Sequence, residues 1–398
     1  MGPGLITAAA DNDSGGIATY ATAGARYGYD MLWVLFLVTF SLAVVQEMCA
    51  RMGAVTGKGL SDLIRENFGV RWTVFAMAVL LVALATTTVA EFAGIAASLE
   101  LFGLSRYLTV PLAAAAVWWL VVKGSYRYVE RILLLLALFL LAYVPAGIIV
   151  GPDWGAVARG LLVPSFRLEP DFILLSIAVI GTTITPWMQF FLQSTVVDKG
   201  LRAAHYEYAR WDVFFGAFFT DFVAFFIILA TAATLFQAGQ HIETAADAAR
   251  ALEPLAGARA ELLFALGLFG ASVLAASVLP LSTAYAVCEA FGWERGIGLS
   301  FGEAPMFFGL YTALIVFGAG MVLLQQVSLM QVMLLSQEVN GLLLPVILVF
   351  MLLLVNDRRL MGRYVNGPIF NAVAWATAAV LIVLTVLLTG TTVASLVA

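Results

Sequence analysis

The stretch GPGLITAAADNDSGGIATYATAGARYGY, residues 2–29, is an apolar segment of membrane-spanning length with a polar interruption in its middle. The carboxylates Asp11 and Asp13 stand there, directly before a serine and two glycines. Asp, Asn, Ser and Gly are poor helix formers, and charged side chains at bilayer depth are tolerated only where they face protein or water. The stretch therefore predicts a membrane helix that is broken at its centre.

The composition of the whole chain is that of a membrane protein. Its 398 residues are 62% hydrophobic and only 11% charged, and the mean hydropathy is +0.99. A soluble domain with a polar surface does not reach these values. At roughly 20 apolar residues per span the length leaves room for about ten to twelve helices. We therefore expect one transmembrane domain, residues 1–398, and no large soluble domain.

Apolar runs between glycine, proline and charge clusters predict an all-α polytopic membrane protein with eleven membrane helices. The segment 243–255 is predicted to be a short surface helix. The predicted spans are residues 3–26, 31–52, 71–101, 107–123, 131–150, 171–197, 211–237, 258–288, 304–324, 328–355 and 368–394.

The distribution of basic residues predicts the orientation. With a cytoplasmic N-terminus, most of the 20 Lys and Arg residues fall in cytoplasmic loops, where positive loops remain. This favours a multi-pass protein of the cell (inner) membrane whose C-terminus is extracellular. The net charge of -5 is spread over the loops, which gives nucleic-acid binding no support. The isolated cysteines, Cys49 and Cys288, are expected to pack rather than to form a disulfide.

A second interruption lies in the sixth predicted span, ILLSIAVIGTTITPWMQFFLQSTVV, residues 173–197. It reads GTTITP, and its Pro186 cannot donate to the helix ladder and clashes with the carbonyl four residues earlier. Breaks in the first and sixth spans divide ten helices into two five-helix halves, residues 1–150 and 165–356, with an extra helix at 368–394. Halves with an odd number of spans enter the membrane in opposite senses, so a LeuT-like inverted repeat is predicted.

The ligand is expected where the two breaks meet. Unwound backbone exposes carbonyl oxygens and half-helix ends, which together with an Asp carboxylate suit a hard cation. Asp13 is the expected ligand, and a cap on the second half-helix is the structural alternative. Asp11 has either a water-mediated role or a role as helix-terminus partner. Either break alone could instead be a kink or a close packing contact.

Further motifs resemble the Nramp divalent-metal transporters over nearly the whole chain. They are AGARYGYDMLWVL at 23–35, QEMCARMGAVTGKGLSDLI at 46–64, GTTITPWMQFFLQS at 181–194 and the pair Ser336-Gln337. The resemblance implies the inverted-repeat fold and divalent-metal transport, with Asp-Pro-Gly-Asn and Met-Pro-His as metal-site motifs. This chain keeps the Asp at Asp13 but has Gly16 for the Asn and Thr185 for the Met. In this it is similar to the prokaryotic Nramp-related magnesium transporters.

These departures favour a hard, hydrated ion. A thioether selects softer metals, whereas the Thr185 hydroxyl is a hard ligand. Loss of the Met and Asn side chains also leaves space for water, and Mg²⁺ typically keeps several waters while touching one or two carboxylates. We therefore expect Mg²⁺ as substrate, with Mn²⁺ accepted less selectively. Trp187 and Leu192 stand at the two histidine positions of the family.

The absence of those histidines predicts uncoupled transport. The chain contains only His205 and His241, and both are expected in loops, so no imidazole is available inside the membrane as a proton carrier. Alternating access driven by the metal gradient and the membrane potential follows from this interpretation.

The remaining candidate residues lie in four predicted spans. Thr182 is expected to offer a backbone carbonyl and Thr185 a hydroxyl or carbonyl, while Gln337 matches a family position near the metal and Asn340 is its polar neighbour. Ordinary hydrogen bonding or helix-to-helix contacts are the structural alternatives. Residues expected to line the pathway or a gate are Glu91, Trp187 and Glu338. Trp187 could also simply fill volume, and Asp221, which matches no motif, is expected to be a paired structural acid.

Three other functions are alternatives to magnesium transport. A proton-coupled Mn²⁺/Fe²⁺ importer of the ordinary Nramp type lacks its Met and His residues here. An amino-acid transporter would bring a substrate carboxylate near Asp13, which would repel it. An intramembrane enzyme lacks a histidine base for a serine nucleophile. The expected partners are the divalent ion as substrate and the lipid bilayer, with no cofactor, no nucleic acid and no second subunit.

Overall fold

The structure, a computed structural model, describes residues 3–122, 138–324 and 328–397. All regular elements of these residues are helical. Short 3-10 turns cover 138–142, 203–205, 250–252, 257–259 and 362–364, and a π turn covers 232–236. The α-helices are α1 (Pro3–Asp11), α2 (Ser14–Tyr27), α3 (Leu32–Thr56), α4 (Leu60–Glu100), α5 (Arg106–Val122), α6 (Tyr143–Ile149), α7 (Trp154–Leu162), α8 (Pro170–Thr183), α9 (Pro186–Asp198), α10 (Tyr206–Thr231), α11 (Ala245–Ala249), α12 (Glu253–Ala256), α13 (Ala260–Phe291), α14 (Pro305–Leu324), α15 (Leu329–Val355), α16 (Arg358–Met361) and α17 (Pro368–Val397).

The described part of the chain contains eight helical stretches that are long and apolar enough to cross a membrane. The number rises to nine if residues 138–149 and α7, which meet at a bend of 117°, form one span. The first predicted span is described as two short helices, and the fourth, α5, has 17 residues. Part of the fifth predicted span, residues 131–137, lies outside the described residues. The count of eleven therefore stays a prediction.

The first interruption separates α1, which ends at Asp11, from α2, which begins at Ser14. Asp13 is the N-cap of α2, and its Oδ1 accepts a hydrogen bond of 2.6 Å from the backbone N–H of Gly16. An Asp side chain in this position satisfies one of the N–H groups that a helix start leaves without an intrahelical partner. Asp13 therefore starts the second half-helix two residues after the first one ends at Asp11.

The second interruption separates α8, which ends at Thr183, from α9, which begins at Pro186. Proline is tolerated in the first turn because the N–H that it lacks would have no intrahelical partner there. Thr185, with φ -69° and ψ 142°, is the N-cap of α9. In both interruptions two residues join two helix ends, but Thr185, unlike Asp13, makes no side-chain cap hydrogen bond.

Helix α4 begins earlier than the predicted third span and bends within its length. Gly69 has φ 78° and ψ 176°, a backbone conformation that glycine adopts without the cost of a Cβ. The turn at Gly69 divides a nine-residue amphipathic start, residues 60–68, from the long apolar part. The segment 243–255 was expected to be one short surface helix. It contains two short helices, α11 and α12, joined by a 3-10 turn.

The two interruptions lie in the interior of the bundle. Helix α4 packs along α13 and α15, and α2 is enclosed by α10, α15, α8 and α4. All residues of α2 except Arg26 are buried. Helix α1 lies against α10 so closely that a methyl group at Gly4 would be 2.6 Å from the Cα of Val213. The polar breaks are therefore surrounded by protein, as charged groups at this depth require.

Candidate functional site

Oxygen atoms from both breaks meet around Gly16. A methyl group on Gly16 would lie 3.1 Å from Thr182 Oγ1, 3.2 Å from Asp13 Oδ1 and 3.4 Å from the carbonyl oxygen of Asp11. The structure thus brings together four of the residues that the sequence analysis singled out. Because residue 16 has no side chain, these oxygens approach its backbone more closely than a Cβ would allow.

The acids of the first break have oxygens that no protein donor satisfies. Asp11 and Asp13 are 2% and 1% exposed. Both carboxylate oxygens of Asp11 and Oδ2 of Asp13 lack a hydrogen-bond partner among the described residues. A buried carboxylate without a partner is costly unless a cation or a proton accompanies it. The two carboxylates also lie within electrostatic reach of each other.

The hydroxyls of the second break face the same region. Thr182 and Thr185 are 1% and 0% exposed, and the Oγ1 atom of each lacks a hydrogen-bond partner. Thr183, by contrast, donates to Val179 within α8 at 2.8 Å and pairs with the Tyr20 hydroxyl at 2.9 Å. The alternative of ordinary hydrogen bonding to the helix backbone therefore describes Thr183 but not Thr182 or Thr185.

Gln337 reaches the first break from α15. A methyl group at Gly15 would lie only 1.9 Å from Gln337 Nε2, so the amide rests directly on the Gly15 backbone. The Oε1 atom of Gln337 accepts a 2.8 Å hydrogen bond from Asn340, which also donates to Thr87 on α4 at 3.0 Å. Asn340 thus orients Gln337 toward the Asp13 carboxylate, with which Gln337 interacts. The Gln337 amide nitrogen has no hydrogen-bond partner of its own among the described residues.

Glu91 approaches the start of α2 from α4. It is fully buried, and its Oε2 accepts a 3.3 Å hydrogen bond from the backbone N–H of Ser14. The Ser14 hydroxyl donates to the carbonyl of Ala90 at 2.9 Å. Glu91 Oε1 has no described partner, and its carboxylate is within electrostatic reach of Asp13. Glu91 therefore lies beside the Asp13 carboxylate, where it binds the backbone N–H of the first residue of α2.

Two predicted pathway residues lie in different surroundings. Trp187, 1% exposed, packs against Phe191 with 5.6 Å between ring centroids, and its indole N–H has no described partner. Glu338 is half-buried, and the charged groups nearest to it are Arg26 and Asp171, near the other end of α2 and the start of α8. Trp187 therefore borders the second break, whereas Glu338 is not brought to Asp13.

The sequence analysis missed Thr87 and the anchoring role of Ser14. Thr87 lies one turn before Glu91 in a run of three threonines, 86–88, which is the only signal that the sequence offers for it. Asp221, expected to be a paired structural acid, has no ion pair and no hydrogen bond of ordinary geometry among the described residues, although the Thr39 hydroxyl lies beside it. A residue's partners on another helix cannot be derived from one sequence without the packing.

The described residues contain no group of three or more His, Cys, Asp and Glu side chains arranged to hold a metal ion. The donors that remain around the breaks are single carboxylates, threonine hydroxyls, an amide and backbone carbonyls. All are oxygen ligands, and oxygen ligands suit hard cations such as Mg²⁺, Ca²⁺ and Mn²⁺.

Comparison with known proteins places this arrangement among transporters. Residues 4–391 match the family described as "Nramp: Natural resistance-associated macrophage protein-like". The divalent metal cation transporter MntH of Ralstonia nicotianae is 30% identical, and the alignment covers 96% of this chain and 88% of that protein.

Two solved structures share the fold. The manganese transporter of Eremococcus coleocola, solved with an aromatic bis-isothiourea substituted compound, has a TM-score of 0.75 at 22% identity, over 96% of this chain and 84% of that chain. MhsT in complex with L-phenylalanine has a TM-score of 0.62 at 14% identity, over 97% and 98% of the two chains. These likenesses confirm the predicted class, a polytopic all-α membrane protein with a LeuT-like fold.

Proposed function

The chain belongs to the Nramp family, whose members are metal-ion transporters rather than enzymes, and we propose that it carries divalent cations across the membrane with Mg²⁺ as its main substrate. The relative from Ralstonia nicotianae is named a divalent metal cation transporter. Mn²⁺ is accepted as well in this proposal. The preference for Mg²⁺ rests on the residues at the two breaks.

The observation that carries the proposal is the set of unsatisfied oxygens at the breaks. Asp13 Oδ2, Thr182 Oγ1 and Thr185 Oγ1 are buried and without described hydrogen-bond partners. A divalent cation beside Gly16 would satisfy Asp13 and Thr182, and one beside Asp11 would satisfy Thr185. Because Gly16 and Thr185 contribute no amide and no thioether, the ion keeps part of its water shell, which suits Mg²⁺ better than softer metals.

The ends of the half-helices supply the oxygen ligands of the proposed transport site. The C-terminal ends of α1 and α8 present free carbonyl groups, and the cap of α2 presents the Asp13 carboxylate. In the proposed alternating-access cycle, the halves 1–150 and 165–356 form the inverted repeat and rock about this fixed site. The ion is bound by Asp13 from one side of the membrane and released to the other.

The proposed transport is uncoupled from protons. His205 lies in the turn before α10 and His241 in the loop that follows the π turn, so neither is in a membrane-spanning helix. The driving force is then the metal gradient together with the membrane potential, which contributes about 4.6 kcal/mol per 100 mV for a divalent ion.

The test is cation uptake by proteoliposomes that contain a pH reporter. We expect uptake of Mg²⁺ and Mn²⁺ with little acidification, and we expect Asp13→Asn to lower Mg²⁺ uptake at least about tenfold. Asn also caps helices well, so the variant should stay folded. The matched control is Asp153→Asn, because Asp153 is likewise an N-cap, of α7, but is exposed and far from the breaks.

Two results would contradict the proposal. Uptake of Mn²⁺ without Mg²⁺, accompanied by acidification, would favour the proton-coupled Mn²⁺/Fe²⁺ importer instead. Equal Mg²⁺ uptake by wild type and Asp13→Asn would remove Asp13 from the site.

A further inference from the structure

Helix α10 contains a buried acid that the proposed transport site does not use. Asp221 is 4% exposed, and neither of its carboxylate oxygens has a hydrogen-bond partner of ordinary geometry among the described residues. The hydroxyl of Thr39, on α3, lies beside it but donates to the carbonyl of Leu35 at 2.8 Å. The ion pairs that the structure describes include none to Asp221. A buried acid that served only the fold would be expected to have a partner, since an unpaired one destabilises the folded protein.

The packing of α10 places Asp221 beside the first break. Its neighbour Thr220 donates a 3.1 Å hydrogen bond to the carbonyl of Ala8 in α1. Two turns further along α10, Ile228 contacts α2, because a methyl group at Gly24 would lie 2.4 Å from its carbonyl oxygen. Asp221 therefore lies between a contact to the end of α1 and a contact to α2.

The nearest acid to this position is Asp11. Its carboxylate is within electrostatic reach of Asp221 as well as of Asp13, and it also faces the hydroxyl of Thr185. Thr185 is fully buried, and its hydroxyl oxygen has no described hydrogen-bond partner. Two carboxylates without an ion pair, and a buried hydroxyl that faces one of them, thus meet on the α10 side of the break, apart from the oxygens that surround Gly16.

We propose that Asp221 and Asp11 form a second binding position for the transported divalent cation, next to the Asp13 position. Two like charges buried together repel each other. A divalent cation between them would remove this repulsion and would give both carboxylates a partner. The Thr185 hydroxyl adds a third oxygen, and water completes the shell. This inference rests on the proposed function and extends it, because the ion would pass from one carboxylate position to another.

A second position also bears on selectivity. Two carboxylates match the charge of a divalent ion, whereas a monovalent ion would leave one of them uncompensated. Asp221 would therefore contribute to the preference for divalent over monovalent cations, in addition to binding.

The test compares Asp221→Asn with Glu207→Gln in proteoliposomes and in detergent. Glu207 lies on the same helix but is exposed, so it controls for loss of an acid from α10. We expect Asp221→Asn to raise the Mg²⁺ concentration for half-maximal uptake about tenfold, equivalent to the loss of one good ligand. The rise in melting temperature caused by added Mg²⁺ should shrink, while the melting temperature without Mg²⁺ should not fall.

Further variants keep the inference falsifiable if Asp221→Asn does not fold. Asp221→Glu keeps the charge and should keep most of the Mg²⁺ response. Asp11→Asn should reproduce the weaker half-maximal uptake. The double variant of Asp11 and Asp221 should lose less than the sum of the two single effects, because both residues act on one ion, whereas full additivity would mean that they act independently.

The outcomes separate the two proposals. If wild type takes up Mg²⁺ and folded Asp221→Asn matches it in half-maximal concentration and in the Mg²⁺-induced melting shift, Asp221 is a structural acid and the second position is overturned. If wild type takes up neither Mg²⁺ nor Mn²⁺, the proposed function itself fails.

Discussion

At the scale of single residues, the site depends on the absence of a side chain at Gly15. The Gln337 amide occupies the space where a Cβ would be, at 1.9 Å from its Nε2. Gln337 cannot simply turn away, because its Oε1 is held by Asn340. The contact brings α15 onto the start of α2, so it sets the distance between Gln337 and Asp13.

Gly15→Ala should therefore displace Gln337 and weaken transport. We expect a fall in Mg²⁺ uptake of about tenfold or more and a loss of about 1–3 kcal/mol in the free energy of unfolding, as for other overpacked interiors. Uptake into proteoliposomes and thermal melting in detergent measure the two effects.

Gly320→Ala is the matched control for this prediction. Gly320 lies in α14, and a methyl group there would meet no atom within 4 Å. Its uptake should equal that of wild type, and its melting temperature should be unchanged or slightly higher, because alanine favours the helix. Wild-type uptake by Gly15→Ala would show that the Gln337 contact is dispensable.

Residue chemistry explains how far the site could be predicted. Asp13, Gly16, Thr182 and Thr185 could be singled out because Asp, Gly and Pro interrupt helices wherever they occur in an apolar run. The structure brings Asp13, Gly16 and Thr182 together, and it places Thr185 beside the Asp11 carboxylate. Asn340 and Asp221 could not be placed, because whether a polar group has a partner depends on the neighbouring helix. Asn340 proved to be bonded to Gln337 and Thr87, whereas Asp221 has no bonded partner.

At the scale of elements, a buried ion pair joins three parts of the chain. Arg51 on α3 pairs with Glu47 at 3.0 Å and donates to the carbonyl of Tyr364 at 2.6 Å. It also bonds Asn366, in the loop before α17, and Tyr206 at the start of α10 donates to Glu47. The planar guanidinium serves these acceptors together, and an ammonium cannot reproduce that geometry.

Arg51→Lys should consequently destabilise the protein although the charge is kept. Glu47 is 1% exposed, so imperfect pairing leaves a buried charge, and we expect a loss of about 3 kcal/mol in the free energy of unfolding. Thermal melting in detergent checks this.

Arg359→Lys serves as the comparison for Arg51→Lys. Its side chain is 87% exposed although it pairs with Asp357 at 2.7 Å, and exposed pairs contribute about 0–1 kcal/mol. A similar loss in both variants would mean that burial does not govern the strength of the Arg51 network.

Element boundaries show where prediction from sequence reaches its limit. The predicted span 328–355 and helix α15, Leu329–Val355, nearly coincide. A long uninterrupted apolar run predicts a membrane helix with clear ends. The turn at Gly69 and the 117° bend before α7 were not predicted. At both places no long polar loop separates the two helical parts, so hydropathy alone does not predict the change of direction.

At the scale of the whole molecule, the orientation in the membrane stays a prediction from the positive charges. Its structural consequence is that the loop near Gln240 and the loop near Glu294 face opposite sides. Both residues are exposed, and the native thiols, Cys49 and Cys288, are buried. Cysteine labelling can therefore report the topology without removing the native cysteines.

We expect Gln240→Cys to react with a membrane-impermeant maleimide in intact cells. Glu294→Cys should react only after the membrane is permeabilised, because its loop contains Arg295 and lies on the predicted cytoplasmic side. The reverse pattern would place the N-terminus outside. Reaction of wild type would show instead that a native cysteine is accessible.

The surroundings of Trp187 have a practical consequence. Of the nine tryptophans, all within the described part of the chain, Trp187 is the one that is buried, and it directly follows the second break. Its fluorescence should respond to an ion arriving beside Thr185. Because Mn²⁺ is paramagnetic and Mg²⁺ is not, quenching of this emission would distinguish the two ions by light alone, without a label.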